Sequence, residues 1–156
     1  MHHVRGDETP EEIIVLAYGM EEGLRTFYTL LAEREGDPEL KSALDRLAGF
    51  EEKHKARLFR LYQTFDASIT DQETFESGPL PLVMEGGTTT EEFFEKNREA
   101  LKSREDVLNI TMMLETQALD LYLRFAHKVE NEKSRAVLLG IADEEKGHLK
   151  ILGRLF

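Results

Sequence analysis

Four residues of this chain recur as a set: Glu21, Tyr28, Glu51 and His54 reappear as Glu115, Tyr122, Glu145 and His148, each displaced by 94 positions. On a helix, residues three apart stand about 60° apart and ~4.5 Å along the axis, so each Glu-x-x-His pair can present both groups to one point. One Glu from each of two helices, with Glu-x-x-His from each of two others, is a ligand set for two iron or manganese ions inside a four-helix bundle. The spacing therefore predicts four long helices around a polar layer. It makes Glu21, Glu51, His54, Glu115, Glu145 and His148 the candidate metal ligands and, through the ions, the candidate catalytic residues.

Punctuation along the chain agrees with four helices. Thr9-Pro10-Glu11-Glu12 offers an N-cap, a proline at the first helical position and an acid three residues on, so the first helix starts there and runs to Gly36. Asp37-Pro38 starts the second, which continues to about Phe65, and so short a link forces an antiparallel pair. The third begins after Ser103 and the fourth after an N-cap at Asn131.

Each helix carries one apolar stripe, and each stripe is interrupted by candidate ligands. In the second helix it runs Leu40, Leu44, Leu47, Glu51, His54, Leu58, Leu61; in the fourth, Leu138, Ile141, Glu145, His148, Leu152, Leu155. The comparable faces are Ile14, Ala17, Glu21, Leu24, Tyr28 and Leu31 in the first helix and Leu108, Met112, Glu115, Leu119, Tyr122 and Ala126 in the third. Met20, Met112 and Met113 read as core packing. Glu22, Glu52 and Glu144 lie about 100° round from the stripe and read as solvated, or as partners standing behind the ligands. His2, His3 and His127 fit no ligand pattern and read as surface residues.

Residues 66–103 read as a long crossover. Ser77, Gly78, Pro79, Pro81, Gly86 and Gly87 break any regular pattern up to 88, and Thr89 with Glu92 caps a short helix over about 90–102 carrying Phe93, Phe94 and Leu101. Such a connection can run the ~40 Å of a bundle helix. The expectation is all-α: a single domain over residues 1–156 with a ferritin-like four-helix bundle, made of two antiparallel helical hairpins joined by that crossover. Between residues 21–62 and 115–156, ten of 42 positions are identical, the three ligand pairs among them, as a duplicated hairpin would leave.

At 156 residues one core suffices without staples. The absence of cysteine excludes a disulfide framework, a thiolate zinc site and a cysteine-bound iron–sulfur cluster, and fits the reducing cytoplasm, where the protein is expected. Any electron must arrive through another carrier. A net charge of -11 argues against nucleic-acid and anionic-membrane partners. No apolar run approaches the ~20 residues of a membrane span, and the N-terminus lacks an apolar signal core. Four unpaired carboxylates in a bundle core would each cost several kcal/mol or stay protonated, whereas two divalent cations cancel their charge. Oxygen ligands with one imidazole per ion suit iron, and manganese or zinc also fit. Tyr28 and Tyr122, two turns beyond the single glutamates, read as phenols donating to ligand carboxylates.

The doubled sextet resembles the rubrerythrin-like branch of the ferritin-like superfamily over nearly the whole chain. The resemblance implies a non-haem di-iron oxidoreductase that reduces hydrogen peroxide or dioxygen, with electrons from a rubredoxin-type iron site, and a homodimer. The cysteine-bound module is absent here, so the donor would be an external protein. Ala118 stands where rubrerythrins carry an extra glutamate one turn after the third-helix ligand, which puts their redox-linked metal movement in doubt. Met84-Glu85-Gly86-Gly87 is similar to rubrerythrin-type domains fused to sulfurtransferases, and the end of the chain soon after His148 suits a domain of a longer protein. Two alternatives stay open: a ferroxidase or iron-buffering protein, and a helical interaction module with a purely structural metal.

Overall fold

The computed structural model describes residues 6–77 and 90–156. Within them every regular element is helical: α1 (Pro10–Arg34), α2 (Pro38–Gln63), α3 (Gln72–Glu76), α4 (Thr90–Lys96), a 3-10 turn at Arg98–Leu101, α5 (Arg104–Lys128) and α6 (Glu132–Gly153). The expected all-α, ferritin-like helical bundle is what forms. His2, His3, the Gly78–Gly87 breakers, the Met84–Gly87 motif and the proposed cap at Thr89 lie outside the described residues.

The four long helices start where their caps place them. Thr9 Oγ1 accepts from Glu12 N at 3.2 Å, Asp37 Oδ1 from Glu39 N and Leu40 N at 2.9 and 3.0 Å, and Asn131 Oδ1 from Ser134 N at 2.8 Å. Ser103 and Asp106 form a reciprocal capping box. Asp37 also accepts from Arg104 Nε at 3.0 Å, and Arg104 donates to the Leu155 carbonyl, so one guanidinium ties the α1–α2 turn, the start of α5 and the end of α6 together.

Two apolar clusters fill the bundle, one at each end. At one end Leu24, Phe27, Leu31, Leu40, Leu44, Leu47, Leu108 and Leu152 pack together; at the other, Ile13, Ile14, Leu58, Phe59, Phe125, Leu138 and Ile141. Glu21, Glu51, His54, Glu115, Glu145 and His148 fall between the two along their helices, and all six are buried.

Three details differ from expectation. Part of the crossover read as irregular forms α3, because Asp71 accepts from Thr74 N at 2.7 Å and Phe75 buries against Tyr18, Phe59 and Tyr62. The short helix stops at Lys96 and tightens into the 3-10 turn; Asn97 Nδ2 donates to the Phe93 carbonyl at 2.8 Å at that break. Met113 is exposed rather than core, since it lies about 200° round α5 from the inward Glu115. Met20 and Met112 are partly buried against the core, and His127 is exposed.

Candidate metal centre

Each side of the cage comes from one hairpin. Glu21 (α1) and Glu115 (α5) project inward singly, while Glu51 with His54 (α2) and Glu145 with His148 (α6) project as pairs, as three-residue helical spacing requires. Two groups of four result: Glu21, Glu51, His54 and Glu145, and Glu51, Glu115, Glu145 and His148, with the ligand atoms of each group all within 4.8 Å of one another. Glu51 and Glu145 belong to both. The two motif glutamates thus lie between the two candidate ion positions, with Glu21–His54 and Glu115–His148 at either end.

Both histidines turn Nδ1 toward the carboxylates. His54 Nδ1 lies 3.1 Å from Glu145, 3.2 Å from Glu51 and 3.5 Å from Glu21; His148 Nδ1 lies 3.2 Å from Glu115, 3.3 Å from Glu145 and 3.6 Å from Glu51. The tyrosines cross the bundle. Tyr28 of α1 donates to Glu115 of α5 at 2.8 Å, and Tyr122 of α5 donates to Glu21 of α1. Each phenol therefore fixes a carboxylate of the other hairpin, a pairing that only the packed bundle could reveal.

Glu21 Oε2, Glu51 Oε1 and both oxygens of Glu145 are fully buried without a well-aligned hydrogen bond, their approaches to the imidazole Nδ1 atoms being ion-pair contacts only. Buried anionic oxygens left this way are costly, and cations in their midst remove the cost. This donor set, carboxylate-rich with one imidazole at each end, fits a pair of divalent ions.

Without ions, protons take over that role. Burial, reinforced by the charges of Glu21 and Glu115, holds Glu51 well above the usual carboxylate range. Burial and Glu115 push Glu145 up to about 8. Burial opposes charge on both histidines, but Glu145 and Glu21 raise His54 to about 10, and Glu115 and Glu145 raise His148 to about 9. For Glu21 and Glu115 burial works upward too, yet hydrogen bonds from the neighbouring Glu, His and Tyr outweigh it and keep both low. In the metal-free cage burial thus favours the protonated form of Glu51 and Glu145, while the surrounding carboxylates favour charge on both imidazoles.

Among the neighbours of the cage, Phe50 and Lys55 went unread in the sequence. Glu144, expected to be solvated or to stand behind a ligand, does the latter: its Oε2 accepts from His54 Nε2 at 2.9 Å and from Arg57 at 2.5 Å. Phe50 stacks on the His148 ring at 4.9 Å. Lys55 is buried and meets Glu22 at 2.6 Å, Glu76 at 2.8 Å and Glu52 at 3.2 Å. A depression of about 600 Å³ between α2 and α6 reaches both imidazoles, lined in part by Phe50, Lys53, Arg57 and Glu144. Ala118 packs in an apolar cluster, with no carboxylate in its place. Among the described residues no helix is long and apolar enough to cross a membrane.

An all-helical bundle holding a buried Glu/His cage suited to two metals defines the protein's class as ferritin-like. Within that class the chain belongs to the rubrerythrin family, whose model matches residues 12–103. The solved structure of a hypothetical protein from Pyrococcus furiosus shares the fold, with a TM-score of 0.68 at 24% identity over 97% of this chain and 90% of that one. Among curated proteins none matches.

Proposed function

We propose that the cage binds two iron ions and that the protein is a non-haem di-iron oxidoreductase of rubrerythrin type, reducing hydrogen peroxide or dioxygen with electrons from an external donor. The observation that carries this reading is the pair of overlapping ligand groups, buried and sharing Glu51 and Glu145. Glu21 and His54 would hold one ion and Glu115 and His148 the other, with Glu51 and Glu145 available to both.

Bound ferrous ions would supply two electrons and positive charge against the oxygens of the substrate. Balance for peroxide requires two electrons and two protons per molecule, giving two waters, after which the external donor returns two electrons. The chain's own contribution is positional. Tyr28 and Tyr122 hold the end carboxylates, each imidazole presents Nδ1, and the apolar clusters shield the layer from both ends of the bundle, leaving the α2–α6 depression at the imidazoles as the approach.

Stopped-flow spectroscopy of the anaerobic, ferrous-loaded protein tests the reading. Two irons per chain, oxidised by one equivalent of peroxide far faster than iron mixed with Glu51→Ala, is the expected result. Equal rates for the two proteins reject it. Retention of iron well beyond two per chain would favour storage instead.

A further inference from the structure

The duplication repeats the six cage residues and both phenols, but the residue just before each motif glutamate differs: Phe50 precedes Glu51 and Glu144 precedes Glu145. Each reaches across the bundle to the histidine of the other motif. Glu144 accepts a hydrogen bond from His54 Nε2 at 2.9 Å, whereas Phe50 lies flat on His148, 4.9 Å between centroids and 18° between planes. Among the described residues His148 Nε2 has no protein acceptor, and its ring borders the α2–α6 depression.

The consequence for a metal follows from the two ring nitrogens. A carboxylate on Nε2–H fixes the tautomer with a lone pair on Nδ1, holds the ring plane and raises the donor strength of Nδ1. His54 has this support already in place; His148 faces its carboxylates through Nδ1 in the same way, but behind it stands only the Phe50 ring, which sets the plane and not the tautomer. Arg57 keeps Glu144 over His54, and it lies close along α6 because position 140 is glycine: a Cβ there would fall 2.8 Å from the guanidinium.

We propose that Glu144 makes the two ion positions unequal, so that the first divalent ion enters on the Glu21–His54 side and is held more tightly than the ion on the Glu115–His148 side. Glu144 acts as a positioning residue. The inference rests on the metal reading above, and the two can fail separately.

Titration of the metal-free full-length chain with Co(II), followed by calorimetry and visible absorption, provides the test. The wild-type protein should bind two ions in steps at least about tenfold apart in affinity. Glu144→Ala should weaken the first step by about tenfold and leave the second, so that the steps merge, with Glu144→Gln in between. Phe50→Glu should strengthen the second step, and circular dichroism checks that each variant folds. In proton NMR, the first equivalent should give one shifted imidazole N–H that exchanges slowly with solvent, and Glu144→Ala should lose that protection. Two equal wild-type steps, unchanged Glu144→Ala titrations, or a parallel weakening of both steps overturns the inference while the metal site stands. Failure of the wild-type chain to bind Co(II) overturns both.

Discussion

Lys55 on α2 and Leu149 on α6 occupy equivalent places, each one residue beyond its motif histidine, but they serve different neighbours. Lys55 is buried against Glu22, Glu52 and Glu76 and lies 5.5 Å from the Tyr18 ring, while Tyr18 donates to Glu76 at 2.5 Å and accepts from Gln72 at 2.8 Å. On the second hairpin the counterpart of Glu22 is Thr116, whose hydroxyl caps back onto the Met112 carbonyl at 2.8 Å. The first hairpin thus carries α3 of the crossover through an ionic cluster centred on the buried Lys55, and among the described residues the second carries nothing comparable. Residues facing the cage are duplicated because two ions would ask for the same donors twice. Residues facing outward are free to diverge, and here they divide the work of anchoring the crossover and supporting one histidine.

The largest expected effect sets shared ligands against unshared ones. Glu51→Ala or Glu145→Ala should abolish tight binding of both ions, a loss of 100-fold or more, whereas Glu21→Ala should spare the ion on the Glu115–His148 side; elemental analysis after dialysis reads the difference. Equal losses from all three variants would mean that the two groups are not distinct positions.

Next comes the outward asymmetry. Lys55→Met should destabilise the fold by about 2 kcal/mol in urea unfolding, because the buried ammonium joining Glu22 to Glu76 is lost and Glu22 keeps only Arg25 as a cationic partner, while Leu149→Met should cost under about 1 kcal/mol. Similar costs at the two positions would remove the difference between the hairpins. The crossed phenols, by contrast, should behave alike. Tyr28→Phe and Tyr122→Phe should each cost the metal-free protein about 1–2 kcal/mol, and a large inequality would show that the cage is less symmetric than its hydrogen bonds.

A smaller effect separates the empty cage from the filled one. Glu51, Glu145, His54 and His148 all have native pKa values above their unfolded ones, so the native state binds more protons and stability falls as pH rises. For the glutamates that loss begins near pH 4.5, and for the histidines it spans about pH 6.5 to 10. Thermal unfolding of metal-free protein should therefore drop by several degrees between pH 6 and 9. Metal-loaded protein should not follow, because the ions bind the deprotonated forms and gain affinity over the same range.

Much of this was legible before folding. Helix starts at Thr9, Asp37 and Asn131, and after Ser103, are local signals, and the structure caps each start within three residues, Ser103 itself serving as the cap of the third long helix. The six cage residues were legible because helical periodicity says which face a side chain occupies, and an acid on an apolar face needs a reason. Helix α3 was not legible: five residues have little helical preference by themselves, and what holds them is Phe75 and Glu76 meeting α1 and α2. Met113 misled as an apolar residue beside the stripe that the helix turns outward.

Sequence alone determined the four long helices and their inward faces, since caps and stripe period depend only on neighbours along one helix and the 94-residue repeat is read directly from the order of residues. Tertiary packing decided which groups meet across the bundle: that Tyr28 serves Glu115 and Tyr122 serves Glu21, that Glu51 and Glu145 belong to both ligand groups, and that His54 receives a carboxylate while His148 receives a phenyl ring. Periodicity fixes an angle about one axis, and hydrogen bonds between helices depend on the offset and rotation of two axes, which only the packed core sets.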